Sequence, residues 1–193
     1  MASSHMQILS LFLLLLAASS PGAVLAAGDY GGDDHSLTRI HLYVHETLAP
    51  AANVTFAFVA PSPLGASSSF GSIIVVDHEL RAGRDRSSQL LGRYQSLMVG
   101  TSLGTTGGKY LTSIALVFTA GEHAGSTLSV AGLLVASKGV AFERAVVGGT
   151  GKFRLARGYS LTTIIGNPTP ETGLFEVELH SKAVGEPKSV LKG

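Results

Sequence analysis

The chain has 193 residues, a net charge of +1 and only 14% charged side chains. No cluster of lysine and arginine offers an electrostatic footprint for nucleic acid, so nucleic acid is not an expected partner. Cysteine is absent, which excludes a thiol nucleophile, a cysteine-ligated metal and any disulfide; the fold must rest on its core and its hydrogen-bond ladders.

The chain opens on an apolar run from Ile8 to Ala18 with consecutive leucines from Leu13 to Leu16. The run is shorter than the roughly 20 residues that span a bilayer. Small residues follow it, and Val24-Leu25-Ala26 fits a signal-peptidase site, so residues 1–26 are expected to be a secretory signal and the protein to be extracellular. No later stretch is long and apolar enough to cross a membrane, and no membrane association is expected after cleavage. Residues 27–37 read as a Gly/Asp-rich flexible leader, 38–181 as one domain and 182–193 as a polar tail. A mature chain of roughly 165 residues suits a single domain.

Within the domain, short β-branched and aliphatic runs are broken by Gly, Pro, Ser and Asn. They predict strands near 38–46, 53–60, 71–77, 91–100, 110–119, 126–135, 140–147, 152–165 and 173–181. Even spacing with turn signals points to an all-β barrel or sandwich. In the first strand, Ile40, Leu42, Val44 and Glu46 share one face, and Arg39, His41, Tyr43 and His45 the other. If the aliphatic face points inward, Glu46 ends an apolar stripe, where desolvation favours its neutral form. A solvated carboxylate at the strand end is the alternative. Asn53-Val54-Thr55 is an N-glycosylation acceptor triplet. Asp77 has the character of a turn residue that bonds its own backbone. His41 and His45 would lie roughly 13 Å apart along a strand, too far to share a metal.

Gly148-Gly149-Thr150-Gly151 lacks the Lys-Ser/Thr pair and following helix of a phosphate-binding loop, since Lys152 is followed by Phe153. It reads as a hairpin turn between two strands. Phe142 and Arg144 share a face on the strand before it.

Several ordered segments carry a resemblance. Residues 143–159, ERAVVGGTGKFRLARGY, are similar to a signature of the plant dirigent family. His41-Leu42-Tyr43-Val44-His45-Glu46 resembles its first-strand motif. Phe70-Gly71 with Val75-Val76-Asp77-His78-Glu79-Leu80 resembles its Asp-Asp-x-Leu motif, and Gly125-Ser126-Thr127-Leu128 its Gly-Ser-Thr-Leu motif. The match extends over residues 38–181. It implies an eight-stranded antiparallel β-barrel of the dirigent and allene-oxide-cyclase type, a closed form able to hold one small ligand.

The resemblance also implies a function. Dirigent proteins orient phenoxy radicals of monolignol type, made by a separate oxidase such as a laccase or peroxidase, and fix the regio- and stereochemistry of their coupling towards lignans. They need no cofactor or metal of their own and pack as homodimers or homotrimers. Glu46 stands where the family has an acid, and Asp77 keeps the first Asp of the second motif while His78 replaces the second. The family's next acid is replaced by Leu134 and its arginine by Phe142, with Arg144 two residues on as a displaced guanidinium or a solvated surface group. Val44, Leu134 and Phe142 are the expected ligand contacts, and Glu46, Arg144 and Asp77 the expected chemistry-bearing groups. The missing acid and arginine, like the missing cysteine pair that many relatives carry, leave open a non-catalytic extracellular protein that binds a phenolic or terpenoid ligand in defence. A lyase that dehydrates a phenolic alcohol is a third reading.

Overall fold

A computed structural model of the chain describes residues 37–103, 109–135 and 138–182. The expected signal, all but the last residue of the expected leader, and all but the first residue of the expected tail lie outside the described residues. Nine strands follow in order: β1 (Thr38–Thr47), β2 (Phe56–Ala60), β3 (Ile73–Arg81), β4 (Leu90–Gly100), β5 (Lys109–Phe118), β6 (Thr127–Val135), β7 (Ala141–Thr150), β8 (Arg157–Thr169) and β9 (Thr172–Lys182). Every pairing between them is antiparallel, in the order β1-β9-β8-β7-β6-β5-β4-β3-β2.

The sheet closes because β1 also pairs with β3, through Tyr43↔Arg81, Val44↔Leu80 and His45↔Glu79. The other half of β3 pairs with β2, through Phe56↔Val76, Ala57↔Val75 and Phe58↔Ile74. Both β1 and β2 therefore run along the same edge of β3, and together they make one stave interrupted by the excursion 48–55. Nine strands make an eight-staved barrel, the all-β architecture expected, and closure removes the unpaired edges of an open sheet.

Period-two alternation sorts the side chains. In β3, Ile74, Val76, His78 and Leu80 are buried, while Val75 and Asp77 are exposed. In β5, Thr112, Ile114, Leu116 and Phe118 are buried. The core is packed at one end of the barrel, where Leu80, Leu128, Leu179, Phe118 and Phe153 are at most 4% exposed. The outer face of β1 and β9 is laced by charge: Arg39 pairs with Glu178 at 2.8 Å, and Glu176 accepts from His41 at 2.8 Å and from the Tyr43 hydroxyl at 3.1 Å.

The glycine turn departs from expectation. Gly148, Gly149 and Thr150 belong to β7, and the reversal runs from Gly151 to Ala156 through a single 3-10 turn (Gly151–Phe153). Lys152 and Phe153 are therefore not in β8. A Cβ at Gly149 would sit 2.3 Å from the Thr127 carbonyl oxygen and 2.7 Å from the Phe153 Cβ, so glycine is required there for close approach rather than for turning. Phe153 drops into the core and anchors the connection. β3 also runs four residues past its expected end, because His78 and Leu80 continue the inward alternation.

The packed end is expected to carry the stability. Leu128→Ala should cost about 2–5 kcal/mol in guanidinium unfolding, whereas Leu134→Ala, at a wall already facing empty space, should cost less than about 1.5 kcal/mol. Equal losses would show that the two ends contribute alike.

Candidate functional site

The end of the barrel away from the packed core is hollow. A cavity of about 370 Å³ opens there, within the size range of small-molecule sites. Its walls are mostly apolar and include Phe56, Ile74, Val76, Met98, Ile164 and Phe175. The expected ligand contacts Val44, Leu134 and Phe142 all line it. So do two of the three expected chemistry-bearing residues, Glu46 and Arg144.

Asp77 does not. It lies mid-strand on the outer face of β3, opposite in parity to Val76 and His78, with its side chain 53% exposed. Arg93 Nε–H donates to its Oδ1 at 2.8 Å, and that bond holds the carboxyl below its ordinary range. The pleat prevents it from reaching the cavity, and it is neither a turn residue nor a pocket acid.

Glu46 ends the inward stripe of β1, and its side chain is 13% exposed. Burial alone pushes its carboxyl up from 4.5 to about 7. The room for that carboxyl comes from its cross-strand partner Gly173, where a Cβ would stand 2.3 Å from Glu46 Oε2. Beside it, His78 Nε2 lies 4.0 Å from Glu46 Oε1. That spacing would suit an ion pair, but burial pushes the imidazole down to about 4. Both charged forms are penalised by the same low dielectric, so near pH 6 the pair is a neutral carboxylic acid facing a neutral imidazole. The Thr55 hydroxyl sits 2.8 Å from His78 Nδ1 and accepts the Thr47 N–H at 2.9 Å, fixing the ring. Asn53, two residues before Thr55, is exposed in the excursion between β1 and β2.

Arg144 is not a solvated surface arginine. It is 4% exposed and shares the inner face of β7 with Phe142, whose ring its guanidinium carbon overlies at 5.0 Å. Its Nη1 donates to the Tyr94 hydroxyl at 3.2 Å and to Thr112 Oγ1 at 3.5 Å, and its Nη2 to Thr162 Oγ1 at 2.7 Å. Here too a glycine makes the space: a Cβ at Gly132 would be 3.1 Å from Arg144 Cγ. His78, Tyr94, Tyr110 and Lys138 also line the cavity and were not among the expected site residues. Parity with Val76 placed His78 on the inner face; nothing local in the sequence marked Lys138.

A closed β-barrel with one plugged end, and one hollow apolar end with a buried carboxyl in its wall, has the form of a barrel able to hold one small molecule. Residues 37–181 match the Dirigent family, described as dirigent-like proteins. The chain is 33% identical over 135 residues to dirigent protein 11 of Arabidopsis thaliana, covering 68% of this chain and 67% of that protein. It is 32% identical over 190 residues to dirigent protein 21 of the same plant, covering 93% and 98%. A solved structure of the pterocarpan synthase dirigent protein PsPTS1 superposes with a TM-score of 0.67 at 29% identity, over 76% of this chain and 95% of that one. This chain belongs to the dirigent family.

The titration of the buried pair has a definite sign. Glu46 binds its proton more tightly folded than unfolded, so its contribution to stability is complete below about pH 4.5 and is lost as pH rises through about 7. His78 runs the opposite way, its contribution complete above 6.5 and lost as pH falls through about 4. Glu46→Gln removes only the first. Its stability relative to the parent should therefore rise by about 2–3 kcal/mol between pH 4.5 and 8, measured by denaturant unfolding. A difference that stays flat with pH would mean the carboxyl is solvated. Gly173→Ala should keep the far-UV circular dichroism of the barrel while displacing the Glu46 carboxyl, so that its titration moves back towards 4.5; an unmoved titration would show that Gly173 does not make its seat.

Proposed function

We propose that this protein binds monolignol-type phenols as phenoxy radicals in the hollow end of its barrel and orients them for regio- and stereoselective coupling, in lignan or related phenylpropanoid biosynthesis. A separate oxidase, a laccase or peroxidase, supplies the radicals. The observation that carries this reading is the apolar cavity of about 370 Å³ with the buried Glu46 carboxyl in its wall, where burial favours the neutral acid. Apolar walls select the ring face, and the carboxylic acid donates a hydrogen bond to a ligand oxygen. A preference of about 1.4 kcal/mol between two orientations gives a tenfold product ratio, so orientation suffices and no bond to the protein is needed.

The same reading includes secretion, so that an extracellular oxidase and its phenols meet the protein outside the cell; the apolar N-terminal run and the exposed Asn53 acceptor support it. A homodimer or homotrimer is the expected assembly. Val75, Leu97, Leu133 and Val147 leave 39–47% of their surfaces exposed on the outer face of β3, β4, β6 and β7, an apolar area that a second copy would cover.

A second reading has its own support. A neutral acid 4.0 Å from a neutral imidazole can give one proton and accept another, which suits acid-assisted ring closure or loss of water from a phenolic alcohol. The similarity to a pterocarpan synthase dirigent protein fits that chemistry.

The test uses the mature protein with coniferyl alcohol and a one-electron oxidant, with products resolved by chiral chromatography. An enantiomeric excess that falls at least several-fold in Glu46→Gln is expected. Racemic product from a panel of phenols, with ligand-induced thermal stabilisation intact, would instead indicate a non-catalytic binding protein.

A further inference from the structure

The cavity is electrostatically one-sided. Arg144 carries a full positive charge at 4% exposure, yet its hydrogen-bond partners are three neutral hydroxyls, on Tyr94, Thr112 and Thr162. Among the described residues no carboxylate lies within 4.0 Å of it, and its Nε is both shielded from solvent and without a hydrogen-bond partner. Of the five N–H donors of a guanidinium, three are taken by those hydroxyls. A buried cation without a counter-charge is costly, and hydroxyl dipoles offset that cost only in part. A second cation, Lys138, lines the cavity with its side-chain end against Gly166, and the residue is exposed. The acid in the wall does not balance them: Glu46 is held neutral by burial, with no cation contributing to its titration. His78 is neutral as well.

We propose that the cavity takes a phenolic compound bearing a carboxylate, a hydroxycinnamate-type acid anion, with Arg144 and Lys138 as the residues that recognise the anion. This rests on the reading of the cavity as a phenol site and narrows its ligand class from neutral alcohols to aromatic acids. The aromatic body lies among Phe142, Phe175, Val76 and Met98. The carboxylate takes the Nη2 donor that the hydroxyls leave, a charge-assisted bond to the guanidinium, and the exposed ammonium of Lys138 draws the anion in. The neutral Glu46 adds no repulsion to an entering anion, and its hydroxyl remains free to donate to the phenolic oxygen. The apolar surroundings strengthen the charge pairing, because little water screens it.

The experiment is a calorimetric titration of the full mature protein at about pH 6 with three probes. 4-Hydroxy-3-methoxycinnamate carries a phenol and a carboxylate; 3,4-dimethoxycinnamate carries a carboxylate without a free phenol; coniferyl alcohol carries a phenol without a carboxylate. Both acids are expected to bind at least tenfold more tightly than the alcohol. Arg144→Gln should weaken both acids at least tenfold and the alcohol by a clearly smaller factor, so that the preference is lost, and Lys138→Met should reduce that preference about threefold. Acids that bind no more tightly than the alcohol, or an Arg144→Gln variant that weakens all three probes alike, would overturn the assignment. If only the free phenol matters, the two phenols bind alike and the dimethoxy acid fails, which also overturns it. Should Arg144→Gln fail to fold, the comparison of probes on the parent protein and the Lys138→Met variant still decide. Stereoselective coupling of the alcohol without acid binding would reject this inference and leave the proposed function standing. Acid binding that depends on Arg144, without any stereochemical bias in coupling, would do the reverse.

Discussion

Burial of the Glu46 carboxyl in the hollow end of the barrel is the constraint on which the site depends. A carboxylic acid in an apolar wall stays protonated to about pH 7, and a protonated acid is what can donate to a phenolic oxygen. The position is not a property of Glu46 alone. Gly173 opposite leaves the space, the inward stripe of β1 sets the direction, and closure of β1 on β3 shuts water out from the side. Arg144 repeats the device on the far wall, seated against Gly132. Two polar groups are held among apolar side chains because the facing strand offers no Cβ at either place.

The two ends of the barrel do different work. At one end large aliphatic and aromatic side chains meet and fill the interior, with Phe153 folded in from the β7–β8 connection. At the other end the interior is left open, and its polar groups are few and partly unpaired. Stability concentrated at the filled end allows a cavity at the other, since an unfilled core is destabilising and must be offset elsewhere. The same division makes substitutions in the cavity wall informative about ligand rather than about folding.

Much of this was legible in the sequence because a β-barrel writes its inside and outside in alternation. The β1 stripe Leu42, Val44 and Glu46 was read correctly from parity, and the ordered motifs supplied the closed topology that parity cannot give. Asp77 was misplaced by trusting a motif over the pleat: Val75 and Asp77 share a parity, and Val75 faces solvent. His78 was visible as a departure from the family pattern, but its burial beside Glu46 depends on β1 and β3 meeting at the closure, which no local signal encodes. Parity put Arg144 with Phe142 without saying whether that face was wet. Lys138 reaches the cavity from an isolated bridge to Ile164 in β8, a long-range contact outside any strand. The glycines of residues 148–151 looked like a turn because glycine serves turns and close approaches alike, and only the facing Thr127 and Phe153 distinguish the two uses.

The central claim concerns the state of one carboxyl. A site-specific carbon-detected NMR titration of Glu46, in protein without ligand, measures it directly. The account predicts a midpoint of about 7, reached with no matching protonation of His78 until about pH 4. A midpoint close to 4.5, the ordinary value for a glutamate in water, would contradict it and with it the dry, acid-bearing cavity.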